Sequence, residues 1–294
     1  MIRWIVQASD PRAVGQLPIV SASAIDEGRV FIGATRAKSA GAALVDGDVV
    51  TVHAPSTAAS EIELLYADDG LVAACKPAEL PTIADHRSAR SLASETEKKV
   101  GLAAGELHAT SRLDVGVSGV VVFARGRDAR MRLERARDAG SYERSYVAIA
   151  RGALPDEGTW TAPIGKARDA RLRAAFGRDA EPAETAFRVV ARADAATLLT
   201  ARPRTGRTHQ IRVHAAHAGH PLHGDHAYGG ERRVVDGAGR VTALSRIALH
   251  AWQVIVPMSS GHALTVRAPL PDELVALWRA LGGKADDCAA FVAH

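Results

Sequence analysis

SGVVVFARGRDARMRLERARDA, residues 118–139, sets side by side the two patterns that decide the fold. Residues 118–125 are a β-branched apolar run suited to a buried strand, and 127–139 carry the charged spacing of a helix. Upstream, LLYADDGLVAACKP at 64–77 reads as a hairpin around an Asp-Asp-Gly turn, and SARSLASETEKKV at 88–100 has helical spacing. Downstream, strands are expected at 144–151, 185–192, 195–202, 246–256 and 262–267. A closing helix over 271–281 starts at Pro271, places Asp272 and Glu273 in its first turn and stops at Gly282-Gly283. Strands outnumber helices and do not alternate with them. The expected class is therefore α+β, with a mixed, largely antiparallel sheet flanked by helices and loops, rather than a doubly wound parallel sheet.

Before this region, IDEGRVFIG at 25–33 and LVDGDVVTV at 44–52 each join a polar turn to a short strand-like run. They suggest a small α+β module over 1–55. The small, polar PSTAASEI at 55–62 has the composition of a linker, and the main domain is placed at 62–281. Residues 282–294 are expected to form a loose tail, and KARDARLRAAFGR at 166–178 a mobile, charged loop. At 294 residues the chain suits about two domains. Its 47% hydrophobic and 24% charged residues exclude global disorder. No apolar run approaches the roughly 18 residues of a membrane span, and the N-terminus lacks a secretory pattern, so a cytoplasmic location is expected. Two cysteines, Cys75 and Cys288, are too few for a disulfide framework or a thiolate zinc site. Of the 37 basic residues only six are lysine. Arginine's planar fork suits phosphate and base recognition, although a GC-rich codon bias explains the same excess.

Three segments could carry chemistry. In ARPRTGRTHQIRVHAAHAGHPLHGDHAYGG, residues 201–230, Thr208 is expected to cap a helix from about His209 to Ala218, which Gly219 and Pro221 stop. The turn before it, with Arg204 and Arg207, would face an anion such as a phosphate. From 201 to 250 there are eight arginines against three acids, Asp225, Glu231 and Asp236, so the basic excess concentrates here. Histidines at 209, 214, 217, 220, 223 and 226 invite a metal reading, but no His-Glu-x-x-His pattern occurs, and packing or satisfied polar histidines are the plainer explanation. No metal or cofactor is expected. The second segment, HATSRLDVGVSGVVVFAR at 108–125, sets Asp114 in a loop before a strand, where a turn former or a reactive acid would both fit. In the third, YERSYVAIARG at 142–152, Tyr146 alternates with apolar residues and is either a packing residue or a functional aromatic.

Taken together and in order, these segments resemble the RluA-type family of RNA pseudouridine synthases over about residues 62–281. SRLDVGVSGVVVFAR is similar to the family's His-Arg-Leu-Asp motif with its Thr-Ser-Gly and strand, and TGRTHQIRVHAAHAGHPLHGDHAYG to its longest signature. LLYADDGLVAACKPAELPT, ALHAW and RAPLPDEL resemble its opening hairpin and closing segments. EGRVFIG and DGDVV resemble the S-four-like RNA-binding module that often precedes this domain. Four positions depart: Ser111 replaces histidine, Val117 threonine, Glu79 glycine, and Ser145 a basic residue.

The resemblance implies an isomerase that converts uridines of structured RNA to pseudouridine. It makes Asp114 the catalytic carboxylate, Arg212 its partner and Tyr146 the aromatic stacked on the target base. Leu249 would pack in the pocket, Arg112 would enter the gap left by the base, and Arg204 and Arg207 would hold phosphates; His209 and Gln210 join them as substrate-binding residues. Asp114 must be ionised whether it attacks the sugar or deprotonates it, and a guanidinium within reach keeps it so. The RNA partner is ribosomal, favoured by the N-terminal module, or transfer RNA, and the protein is expected to be a monomer with no membrane partner. A glycosidase-like hydrolase would need a second matched acid. A histidine-dependent metal hydrolase would account for the histidines, and an RNA-binding protein with a retired site for the four departures.

Overall fold

The computed structural model describes residues 2–292 apart from 27–29, 34, 53–61, 85–89, 236–238 and 240. The linker expected at 55–62 therefore lies almost wholly outside the described residues. Two compact units result: Met1–Ile62 with Leu80–Glu106, and Glu63–Glu79 with Leu107–His294. This division follows contacts rather than sequence order, and the segment around the 88–100 helix falls in the first unit.

In the second unit, the apolar run becomes the strand Ser118–Arg125, buried along all but its last residue. It pairs antiparallel with Leu71–Lys76 and parallel with Leu249–Pro257. A strand flanked on both sides and covered on both faces must be apolar throughout, hence the unbroken β-branched pattern. Gly126, at φ 78°, turns the chain into the helix Gly126–Asp138. Ala129, Leu133 and Ala136 share one side of that helix and pack with Leu71, Val120, Val122 and Val254.

The sheet has ten strands. Its main path runs Glu157–Trp160, Thr185–Ala193, Ala196–Pro203, Glu143–Arg151, Leu249–Pro257, Ser118–Arg125, Leu71–Lys76, Glu63–Ala67. Ala263–Arg267 and Leu107–Ala109 pair off this path. Every pairing is antiparallel except that of Ser118–Arg125 with Leu249–Pro257, which matches the α+β expectation. At that parallel contact Gly119 has φ 119°, and a Cβ there would run into the Ala251 carbonyl oxygen. Only glycine permits this approach, and just before it the Asp114 turn meets Ile247, whose amide donates to the Gly116 carbonyl at 3.2 Å.

One side of the sheet is covered by the helix Asp272–Ala280, where Leu274, Leu277 and Trp278 meet Val147, Ile149, Leu198 and Ala248. The loose tail is corrected here. Ala285–Cys288 and Ala289–Val292 are helical, and Cys288 and Phe291 are buried in this cluster. The 166–178 loop is also corrected: Ile164–Lys166, Arg173–Ala175 and Arg178–Glu181 form a three-stranded antiparallel sheet. Its backbone pairing, not an apolar pattern, holds these charged residues in strands.

A polar chain crosses the core. Arg246 is ion-paired to Glu273 and donates from Nη2 to Ser118 Oγ at 2.5 Å. Ser118 in turn bonds His250 Nδ1 at 2.6 Å, and His250 Nε2 donates to the Ala268 carbonyl at 3.1 Å. Burial brings the His250 pKa down to about 4, so it folds as the neutral ring. Its folded pKa lies below the unfolded value; the unfolded state therefore takes up the proton first, and stability falls as pH drops from about 6.5 towards 4. Between pH 7 and pH 5 this single ring costs about 2 kcal/mol. Urea unfolding at the two pH values should show that loss in the wild type and a smaller one in His250→Gln; equal losses would contradict it.

The first unit carries a four-stranded sheet in the order Ile2–Ile5, Val49–Val52, Val30–Ile32, Thr35–Arg36. Its core includes Val6, Val14, Leu17, Val30, Leu44 and Val50. The helix Leu92–Lys99 begins with a capping box between Ser91 and Ser94. Among the described residues, no helix is long and apolar enough to cross a membrane.

Candidate active site

Asp114 sits in a turn closed by the Val117 amide donating to the Asp114 carbonyl at 3.0 Å. The next carbonyl, Val115, accepts from the Glu79 amide at 2.6 Å and from Lys76 Nζ at 3.2 Å. Lys76 is fully buried, and burial together with the Arg246 charge, opposed by Asp114 and Cys75, brings its pKa down to about 7. This turn is thus fastened to the Leu71–Lys76 strand. The Glu79 contact also explains one departure: Glu79 has φ 70°, the left-handed conformation that a glycine adopts without strain. Glu79→Gly should raise stability by about 0.5–1 kcal/mol in denaturant melts, and an unchanged or lowered midpoint would show that no strain is held there.

Arg212 lies on the helix Gln210–His217 and is buried. Its Nη1 donates to Asp114 Oδ2 at 2.7 Å, while Nε and Nη2 grip Asp225 Oδ2 and Oδ1 at 2.7 and 2.8 Å. The guanidinium also stands 4.9 Å from the Tyr228 ring centroid. Burial works against its charge, but the bonds to Asp225 and the charge of Asp114 outweigh that and raise its pKa. Asp225, only 1% exposed, fixes the arginine by a two-point fork and leaves the third donor for Asp114. Asp225 carried no site role in the sequence reading, since nothing in the spacing shows that it returns to Arg212.

Tyr146 is buried on the strand Glu143–Arg151, opposite Ala201 on one side and Ala251 on the other. Leu249, opposite Ala148, is two residues from Ala251, so Leu249 and Tyr146 are on one face of the sheet. Burial pushes the Tyr146 phenol up, and the Asp114 charge adds to this while Arg144 opposes it. Arg144 donates to the Thr205 carbonyl at 3.0 Å, tying the Tyr146 strand to the turn before the Arg212 helix. Arg144 is a second residue that the sequence reading missed; its lone signal is its place two before Tyr146.

The signature turn differs from expectation. Thr208 does not cap the helix; His209 does so, in a left-handed conformation at φ 59° without a side-chain cap bond. Gln210, expected among the substrate-binding residues, braces the turn. Its Oε1 accepts from Thr205 Oγ1 at 2.7 Å and from the Arg207 amide at 3.0 Å, and its Nε2 donates to Glu184 O and Thr185 Oγ1 at 2.8 and 2.9 Å. All four bonding positions of the amide are thereby used inside the protein. Arg204 pairs with Glu184 at 2.9 Å and keeps 71% of its side chain exposed. Arg207 pairs with Glu181 and donates to the Pro182 carbonyl at 3.0 Å. Arg112 is exposed. Arg240 and Asp236 lie outside the described residues.

The histidines diverge. His214 bonds Thr185 and the Ala162 carbonyl, His220 the Arg151 carbonyl, and His223 lies 3.2 Å from Glu231. Among the described residues no group of three or more His, Cys, Asp or Glu converges as a metal site would require. His209 alone reaches the acid, with Nε2 3.8 Å from Asp114 Oδ1.

A family model described as RNA pseudouridylate synthase matches residues 70–217, half of the chain. A Bacillus subtilis (strain 168) protein described as an uncharacterized RNA pseudouridine synthase is 32% identical over 247 residues, 79% of this chain and 83% of that one. The ribosomal large subunit pseudouridine synthase D of Nitrosomonas europaea is 36% identical over 179 residues, 60% of this chain. The chain spans about half, 51%, of that relative's length. Among solved structures, human RNA pseudouridylate synthase domain containing 1 superposes with a TM-score of 0.59 at 22% identity, over 77% of this chain and 98% of that one. Its counterpart containing 4 gives 0.59 at 24% identity, over 74% and 92%. These two likenesses establish the fold.

Proposed function

Because the chain belongs to the RNA pseudouridylate synthase family, we propose that it isomerises specific uridines of structured RNA to pseudouridine. The observation that carries this reading is the Asp114–Arg212–Asp225 assembly. The reaction breaks the bond from N1 to the sugar, turns the uracil and joins its carbon 5 to the same anomeric carbon. One proton leaves carbon 5 and one arrives at N1, so neither an oxidant nor water is consumed.

Asp114 is the carboxylate that engages the sugar as the base departs, either bonding to it or taking its proton. Arg212 holds Oδ2, which leaves Oδ1 towards the substrate. Extruding the base from stacked RNA costs a few kcal/mol, and a face of Tyr146 can return roughly 1–3 kcal/mol by stacking. Leu249 packs the same pocket, and exposed Arg112 fills the gap left in the RNA. Arg204 and Arg207 position phosphates, giving up their acidic partners Glu184 and Glu181 to do so. No cofactor is needed for this isomerisation, and the protein acts as a monomer.

Ribosomal RNA is the preferred substrate on two supports: a relative named for the large ribosomal subunit, and residues 1–55 read as an S-four-like RNA-binding module. Transfer RNA is the alternative, and a cytoplasmic location accords with either. Pseudouridine mapping of total RNA from cells with and without the gene tests the proposal. A site lost in ribosomal RNA supports it, a site lost only in transfer RNA replaces the substrate, and identical maps reject it.

A further inference from the structure

His209 holds a backbone conformation that few non-glycine residues adopt, with φ 59°. Strain of this kind persists where the surroundings fix it, often at functional sites. Here the surroundings are specific. His209 Nδ1 lies 2.7 Å from the Tyr228 hydroxyl, and that hydroxyl accepts from the Arg173 backbone amide at 2.9 Å. An amide can only donate, so it takes one acceptor position of the hydroxyl and leaves the hydroxyl proton available to His209 Nδ1. On the other side of the ring Nε2 lies 3.8 Å from Asp114 Oδ1, a carboxylate oxygen that only accepts, and this favours the tautomer with the ring proton on Nε2. Burial lowers the His209 pKa, with Arg212 and Arg173 adding to the effect and Asp114 and Asp225 opposing it, so the ring is neutral at pH 7. Burial likewise raises the Tyr228 phenol and keeps its proton in place.

Resting on the synthase reading, we propose that His209 is a catalytic residue: a neutral imidazole whose Nε2–H bonds a carbonyl oxygen of the uracil as the glycosidic bond breaks. Arg212 occupies Asp114 Oδ2, so the sugar reacts at Oδ1, and a base attached to that sugar comes within reach of a donor 3.8 Å away. As the bond from N1 breaks, its electron pair passes into the uracil and onto its carbonyl oxygens, where a hydrogen bond is stronger than in the ground state. His209 keeps its proton throughout. A neutral donor suits this position: Arg212 already supplies the cation on Asp114 Oδ2, and a second charge beside Oδ1 would hold the oxygen that must meet the sugar. Tyr228 is the positioning residue that selects the donor tautomer, and the Arg173 strand orients Tyr228.

The test uses the full-length protein and RNA from cells lacking the gene, labelled with tritium at uracil carbon 5, with tritium release followed in single turnover. His209→Asn, which tolerates the left-handed backbone, should lower the rate at saturating protein about 100-fold with unchanged RNA affinity. Tyr228→Phe frees the tautomer and should lose about tenfold near pH 7.5, then recover towards wild type as pH falls below the imidazole range, because the imidazolium carries N–H at both nitrogens. His209→Asn should show no such recovery. Nitrogen-15 shifts should show the Nε2–H tautomer in the wild type and a mixture in Tyr228→Phe. A Tyr228→Phe profile parallel to wild type, or a His209→Asn rate equal to it, overturns the role of His209. Absence of tritium release from the wild type instead rejects the synthase reading itself.

Discussion

Asp114→Asn should abolish pseudouridine formation, with a fall of at least about 10⁴-fold, while the protein stays folded and binds RNA. The asparagine oxygen can still accept from Arg212 Nη1, and Arg212 stays locked by its two bonds to Asp225. The Asp114 side chain is 26% exposed, so neutralising it leaves no charge stranded in the interior. Its contribution to stability is therefore small, within about 1 kcal/mol. Activity and stability separate at this residue, and single-turnover assays beside denaturant melts will measure both. Retained activity in Asp114→Asn would remove the carboxylate from the chemistry.

Arg212→Gln should behave differently, losing activity and stability together. Asp225 is 1% exposed and receives both bonds of the guanidinium fork. Without the arginine a carboxylate is left buried and unpaired, which costs about 3–5 kcal/mol. Arg212→Gln/Asp225→Asn should recover much of that stability, because the charge has gone, and none of the activity, because Asp114 still lacks its guanidinium. Urea melts of the two variants decide the matter. A double variant no more stable than Arg212→Gln would mean that Asp225 is not the stranded charge.

Much of the fold was legible because burial writes itself into pattern. Residues 118–139 announced a buried strand and then a one-sided helix, and both form as Ser118–Arg125 and Gly126–Asp138. Elements lacking such a pattern escaped. Arg178–Glu181 is exposed throughout and is a strand only through its pairing with Ile164–Lys166. Ala285–Val292 is too short to show a helical period, yet Cys288 and Phe291 complete the core around Trp278.

At the site, chemistry-bearing residues were visible singly but their partnerships were not. Asp114 and Arg212 are 98 residues apart in sequence and 2.7 Å apart in space. Asp225 looked like an isolated acid among histidines, and its role depends on the loop after the Arg212 helix folding back upon it. Gln210, within the same signature, braces the turn that presents the site through bonds that its spacing does not show. The departure at Glu79 became intelligible only with its backbone angle, φ 70°.

The central claim is that this chain rearranges uridine by means of Asp114. Tritium release from carbon-5-labelled RNA of cells lacking the gene, with purified wild-type and Asp114→Asn protein in parallel, tests it most directly. The wild type should release tritium, matched by pseudouridine at a discrete site, and the variant none. Release by both proteins, or by neither, would contradict it.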